Sequence, residues 1–208
     1  MLTLLGRSPS INVRKVLWLC AEMQLPIAHE EWGTPQLPLN QPLFLSLNPN
    51  AQVPVLRDGD FVLWESNTIC RYLACREKRV DLLPTTPLAR AKVEQWMDWQ
   101  LGDLNNAWRY AFMGLVRHSP AHADPALVAR SLADWTRLMQ ILDTQLSKTG
   151  AFVLGEDFTL ADVVLGLSVH RWFMTPLEER LLLPAVDAYY AQLSMRPGFQ
   201  LHGRNGLP

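Results

Sequence analysis

Over the first 80 residues, short hydrophobic runs alternate with amphipathic helical patterns. Strands are predicted at Leu2–Leu5, 27–30, 53–57 and 61–64, and helices at 12–23 and 65–76. Strands that alternate with helices predict a mixed sheet with packed helices. The turn residues Asp58, Gly59 and Asp60 separate the last two strands, so these should form an antiparallel hairpin. The predicted order is therefore βαβ followed by ββα, with an irregular, proline-rich stretch between the two parts.

Beyond residue 88 the chain shows only helical patterns. Pro84 and Pro87 interrupt the pattern and predict a linker over residues 80–88. Apolar residues then recur at steps of three and four, which predicts two long antiparallel helices, over 93–115 and 125–148. Two such helices suggest a bundle. The predicted organisation is a first domain at 1–79, a linker at 80–88 and an all-helical domain at 89–208.

The segment Thr159–Asp162 matches a helix capping box. Thr159 can accept a hydrogen bond from the backbone of Asp162, whose carboxylate reaches back to Thr159. This motif is structural, so we expect Asp162→Ala to lower the free energy of unfolding by about 1 kcal/mol, as the loss of a cap does.

Composition and charge exclude several classes of protein. With 49% hydrophobic residues and no low-complexity tract, the chain is predicted to be globular. Its 19 basic and 20 acidic residues give no surplus that would attract nucleic acid. No apolar run is long enough to span a bilayer, and the chain is expected to be cytoplasmic. The three cysteines are expected to be reduced and mostly buried, and no metal site is predicted.

Two pairs of residues near the hairpin have the character of a peptide-binding site. Val53-Pro54 opens a strand, and a cis bond there would let Val53 offer its N–H and C=O to an extended peptide. Glu65 and Ser66 begin a helix, whose unpaired N–H groups and positive dipole end favour a carboxylate. Ordinary helix capping is the alternative explanation for Glu65 and Ser66.

These motifs together resemble the cytosolic glutathione S-transferases, in particular bacterial serine-type members that are theta- or beta-like. The resemblance covers almost the whole chain, includes the Phe-Thr-Leu-Ala-Asp motif, and is most specific in FLSLNPNAQVPVL and WESNTICRY. It implies a fold of the class α/β plus all-α, with a thioredoxin-like N-terminal domain followed by an all-helical C-terminal bundle domain. It also implies glutathione as co-substrate, a homodimer and a role in detoxification.

The resemblance implies which residues bind glutathione. Val53, preceding Pro54, would hydrogen-bond the cysteinyl backbone, and Glu65 with Ser66 would hold the γ-glutamyl end. Gln52 occupies a place from which a side chain often reaches the glycyl carboxylate.

Three polar residues after the first strand are candidates for activating the glutathione thiol. Ser10–Val16 resembles the Ser-x-Pro-Cys-Arg-x-Val segment of serine-type transferases, with Asn12 in place of proline and Val13 in place of cysteine. A hydrogen bond from Ser10 to the sulfur, at a helix N-terminus, would favour the thiolate. Asn12 and Ser8 are the alternatives, and Ser10 or Asn12 could equally be a helix cap. No tyrosine precedes Tyr72, which argues against tyrosine-type catalysis.

The electrophile is expected between the two domains, where the long helix faces the active-site loop. The candidate lining residues are Trp108, Arg109, Phe112 and Met113. Arg109 could bind an anionic substrate or be an ordinary exposed arginine. The expected activity is transfer of the glutathione thiolate to a small electrophile, including anionic ones. The alternatives are a non-enzymatic interaction protein with this fold, or a glutathione-dependent peroxidase, dehalogenase or isomerase.

Overall fold

The chain forms two units, each with its own core. The computed structural model describes residues 1–177 and 179–206. One unit comprises Met1–Leu83 together with the segment that begins at Pro197, and the other is Pro84–Arg196.

A four-stranded sheet is the centre of the first unit. Its strands lie in the order β2-β1-β3-β4, with β1 and β2 parallel and the other neighbours antiparallel. The predicted βαβ-then-ββα, thioredoxin-like arrangement is confirmed. The elements are β1 (Leu2–Leu5), α1 (Ile11–Met23), β2 (Ala28–Glu30), α2 (Pro42–Leu47), β3 (Val55–Asp58), β4 (Phe61–Trp64) and α3 (Ser66–Arg76).

Helix α2 was not predicted, because prolines surround it and it is only one to two turns long. Pro42 occupies its first turn, where the missing N–H of proline costs nothing. The helix contributes the fully buried Phe44, whose ring lies 5.2 Å from that of Trp32. Both rings belong to a core cluster with Leu5 and Val55.

The C-terminal segment corrects the predicted domain limits. From Pro197 onward the described residues group with the first unit, although the sequence predicted them to be part of the domain 89–208. The reason is packing on α1: the Phe199 ring lies 4.7 Å from that of the fully buried Trp18, and Arg14 donates to the carbonyl of Gly206 at 3.3 Å. Residues 207 and 208, the last two of the predicted all-helical domain, lie outside the described residues.

The second unit is all-helical, as expected. Its first predicted long helix contains a π-helical segment at Gln100–Leu104, where the Asn105 N–H donates to the Gln100 carbonyl. The Gln100 side chain is fully buried and donates to Asn105 and to Ser168. Pro87 was predicted to belong to the linker, but it begins the first helix of this unit. The elements are α4 (Pro87–Trp99), α5 (Asn105–Leu115), α6 (Pro125–Thr149), α7 (Leu160–Met174) and α8 (Pro184–Leu193).

The capping box at the start of α7 is present. The fully buried Asp162 carboxylate accepts from the N–H of Thr159 at 2.8 Å and also from its hydroxyl. It further accepts from the N–H of Val153 at 3.0 Å and the hydroxyl of Tyr189 at 3.1 Å. Asp162 therefore does more than cap a helix, because it also joins α7 to the preceding loop and to α8.

The expectation that the three cysteines are mostly buried is confirmed, because two of them are buried. Cys20 and Cys70 are buried, and burial raises the pKa of each thiol to about 12. Cys75 is exposed because it lies on the outer face of α3. Among the described residues, no helix is long and apolar enough to cross a membrane.

Candidate functional site

The strand register brings the predicted site segments of the first unit to the same end of all four strands. This end of the sheet is the edge at which the candidate site lies. Leu5, the last residue of β1, pairs with Glu30 at the end of β2 and with Val55 at the start of β3. Val55 in turn pairs with Trp64, the last residue of β4. The segments just beyond these residues, namely 6–10, 31–34, 53–54 and 65–66, therefore meet at the same edge.

Ser10 and Asn12 lie at the N-terminus of α1. Ser10 is the N-cap residue, but its side chain makes no cap hydrogen bond. Both side chains are half-buried and have no hydrogen-bond partner among residues 1–177 and 179–206. A hydroxyl and an amide are thus free beside the positive end of a 13-residue helix.

Ser8, the third candidate, is already engaged. Its N–H donates to a carboxylate oxygen of Glu31 at 2.9 Å, and its hydroxyl donates to the other oxygen. Burial acts to raise the pKa of Glu31, but the Ser8 hydrogen bonds and the nearby His29 lower it below its usual value. The hydroxyl proton of Ser8 is therefore directed at Glu31 and not at the space beside Ser10.

The Val53-Pro54 peptide bond is cis. The N–H and C=O of the half-buried Val53 have no hydrogen-bond partner in the described part of the chain. The buried Asn48 shapes the preceding loop: its amide donates to the carbonyl of Gln52 at 2.8 Å, and its Oδ1 accepts from the N–H of Asn50. The Gln52 side chain itself is exposed.

The start of α3 has an unusual backbone. Glu65, its N-cap residue, has φ of 73° and makes no side-chain cap hydrogen bond. A non-glycine residue held at positive φ costs on the order of 1 kcal/mol or more, and such residues cluster at functional sites. The hydroxyl of the buried Ser66 also has no partner within the described residues. The capping explanation of this pair therefore lacks the hydrogen bonds that it requires.

A buried hydrogen bond joins the two helices that begin at this edge. The fully buried Lys15 of α1 donates through Nζ to Oδ1 of Asn67 in α3, at 3.1 Å. Asn67 directly follows Ser66. The bond therefore fixes the N-terminus of α3 relative to the helix that carries Ser10.

The four candidate electrophile residues lie on two faces of α5 in the second unit. Trp108 and Phe112 are buried and pack edge to face at 5.4 Å. The guanidinium of the buried Arg171, from α7, lies 4.0 and 4.1 Å from the centres of these two rings. Arg109 and Met113 directly follow Trp108 and Phe112 in the sequence and therefore lie on a different face of the helix. On that face Arg109 is exposed and Met113 is half-buried.

Sequence patterns did not indicate Glu31, His29, Lys15 or Arg171. Each of them acts through a partner at least 23 residues away, and no local pattern records such a pairing. The described residues contain no group of three or more His, Cys, Asp or Glu side chains that could hold a metal ion.

Two comparisons of domains define the class of protein. Models of the N-terminal and C-terminal domains of glutathione S-transferases match residues 9–76 and 125–192. The chain belongs to the glutathione S-transferase family.

Individual relatives support this assignment along the whole chain. The protein is 38% identical over 204 residues to glutathione S-transferase GstB of Escherichia coli K12, which covers 95% of each chain. It is 34% identical to glutathione S-transferase 3 of Zea mays over 77% of this chain and 74% of that protein. A theta class glutathione S-transferase from Xanthomonas axonopodis pv. citri, solved with glutathione bound, matches with a TM-score of 0.91 and 37% identity over 100% of this chain and 99% of the other. The predicted resemblance is confirmed.

Proposed function

We propose that this protein binds glutathione at the sheet edge described above and transfers its thiolate to a small electrophile. The observation that carries the proposal is the register: it brings the free Val53 backbone, the start of α3 and the start of α1 to one edge. Val53 binds the cysteinyl backbone as an added strand would, and Glu65 with Ser66 binds the γ-glutamyl end. Gln52 binds the glycyl carboxylate.

Activation of the thiol is the main chemical task in this proposal. A free thiol has a pKa of about 8.5 and is mostly protonated at neutral pH. A hydrogen bond from Ser10, with Asn12 as the alternative donor, stabilises the thiolate together with the dipole of α1. The thiol proton passes to solvent. The sulfur then attacks the electrophilic atom and forms the C–S bond, while the leaving group departs with its electron pair.

We expect Ser10→Ala to return the pKa of bound glutathione toward its free value. Removal of one such donor is also expected to lower kcat/KM about 100-fold. The measurement is a pH titration of the thiolate ultraviolet absorbance with wild type, Ser10→Ala and Asn12→Ala. A lowered pKa that depends on Asn12 alone would transfer the role to Asn12. A wild-type protein that does not bind millimolar glutathione would favour the alternative of a non-enzymatic interaction protein.

We also propose that Arg109 recognises anionic electrophiles. Arg109→Ala is expected to lower kcat/KM about tenfold for a carboxylate-bearing electrophile and to leave a neutral electrophile unaffected. The matched control is Arg137→Ala, which removes an exposed arginine from α6. Equal losses with both electrophiles, or a weaker affinity for glutathione, would show that Arg109 has no selective role.

The homodimer, the cytoplasmic location and the detoxification role belong to the same proposal and rest on the family relationship. The exposed apolar side chains of Phe61 and Trp64 support a subunit interface, since they lie on the edge strand β4.

A further inference from the structure

Two side chains at the end of β2, those of His29 and Glu31, form hydrogen bonds with the loop that leads to Ser10. His29 donates from Nε2 to the carbonyl of Gly6 at 2.6 Å, because a carbonyl can only accept. Glu31, one residue beyond β2, accepts from the N–H and from the hydroxyl of Ser8. The backbone adds one further bond, from the Gly6 N–H to the Glu30 carbonyl at 2.9 Å.

Apolar packing contributes little to holding this loop beyond Gly6. Arg7 and Pro9 are exposed, and Ser8 and Ser10 are half-buried. Beside the loop lies a cavity of about 520 Å³, whose lining includes Ser8 and His29. Because the loop is exposed or half-buried beyond Gly6 and borders this open groove, its hydrogen bonds are the main contacts that hold it in position.

The loop transmits its position directly to Ser10. The Ser10 N–H donates to the carbonyl of Arg7 at 3.0 Å, which closes a tight turn around Ser8. The Ser10 carbonyl accepts from the N–H of Arg14 at 2.9 Å and so starts α1. A shift of Ser8 must therefore move the Ser10 hydroxyl.

We propose that His29 and Glu31 are positioning residues that hold the 6–10 loop so that Ser10 can meet the glutathione thiol. This inference rests on the proposed function. A displacement of about 1 Å in a reacting geometry can cost 100-fold in rate, so a few hydrogen bonds that fix a loop have a measurable effect on catalysis. We call the hydrogen bonds from His29 and Glu31 to this loop the clamp. Ser8 is a residue that the clamp holds, and it is not the thiol partner.

The test compares Glu31→Ala with Asp60→Ala in the full-length protein. Asp60 is an exposed carboxylate at the hairpin turn and makes no side-chain hydrogen bond within the described residues. For Glu31→Ala we expect kcat/KM to fall about tenfold and the thiol pKa of bound glutathione to rise by about half a unit or more. The dissociation constant for glutathione should change less than about threefold, because Val53 and Ser66 are intact. Asp60→Ala should match the wild type in all three measurements.

Two further comparisons separate positioning from a general loss of stability. Ser8→Ala should lower kcat/KM in the wild type but add almost nothing in the Glu31→Ala background, since Glu31→Ala already removes the acceptor of the Ser8 hydroxyl. His29→Leu should behave like Glu31→Ala, whereas His29→Gln, which keeps a donor for the Gly6 carbonyl, should recover most of the activity.

The outcomes distinguish this inference from the proposed function. A lowered thiol pKa in the wild type that Glu31→Ala and His29→Leu leave unchanged overturns the clamp alone. Full additivity of Ser8→Ala and Glu31→Ala also overturns it, because Ser8 would then act independently. A wild-type protein that does not lower the thiol pKa at all overturns the proposed function itself.

Discussion

Replacing Asp162 with alanine is expected to lower the free energy of unfolding by about 3 kcal/mol at pH 7. The loss should exceed the roughly 1 kcal/mol of a simple cap, because the carboxylate satisfies buried donors from three residues. These are the N–H groups of Val153 and Thr159 and the hydroxyls of Thr159 and Tyr189. Each buried donor left without a partner costs about 1–3 kcal/mol, although water entering the vacated space recovers part of this.

The same variant should show a characteristic dependence on pH. Burial raises the pKa of Asp162 from 3.8 to about 6, although the hydrogen bonds from Val153, Thr159 and Tyr189 oppose this rise. Between these two values the folded state binds more protons than the unfolded state. The stabilisation by Asp162 is therefore greatest below about pH 4 and declines as the pH rises through about 6.

Urea unfolding of wild type and Asp162→Ala from pH 4 to pH 7 measures both effects. The control is Asp157→Ala, which removes an exposed carboxylate from the same loop and should change the stability by less than about 0.5 kcal/mol. A loss near 1 kcal/mol that does not vary with pH would mean that Asp162 acts only as a helix cap.

The sequence predicted those parts of the fold that depend on local patterns. The hairpin strands are confirmed because turn residues at 58–60 separate two apolar runs, and the start of α7 because a capping box needs only four residues. The π-helical segment could not be predicted, since it coincides with a contact between Gln100 and Ser168, 68 residues apart. Helix α2 could not be predicted, because it is short and the prolines around it are typical of an irregular segment.

The candidate site shows the same division between local and distant information. Val53-Pro54, Ser66 and Ser10 could be proposed because each lies at a recognisable start of a strand or helix. Their convergence follows from the register of strands that are far apart in the sequence. The engagement of Ser8 by Glu31 could not be foreseen, because hydrogen bonds between loops leave no periodic pattern. That contact is the reason why we propose Ser10 or Asn12, and not Ser8, as the thiol partner.

Gly6→Ala is expected to lower the free energy of unfolding by about 2–3 kcal/mol and to weaken glutathione binding. An added Cβ would lie 2.5 Å from Cγ2 of Val13 and 2.9 Å from Cβ of Val53, closer than such atoms can approach. An added group in a well-packed region forces shifts of backbone and side chains, which typically lower the free energy of unfolding by about 1–3 kcal/mol. Val13 is fully buried in α1, so Val53 must give way, and Val53 is the residue proposed to bind the peptide backbone of glutathione.

The matched control for this change is Gly59→Ala. Gly6 and Gly59 both have positive φ, at 152° and 61°, but an added Cβ at Gly59 meets no atom within 4 Å. Gly59→Ala therefore carries only the backbone cost, about 1 kcal/mol, and should leave the dissociation constant for glutathione unchanged. Thermal unfolding and calorimetric titration with glutathione measure the two effects. Equal behaviour of the two variants would mean that backbone conformation alone requires glycine at position 6, whereas a selective loss of binding in Gly6→Ala would place Gly6 as the spacer between the thiol-activating loop and Val53.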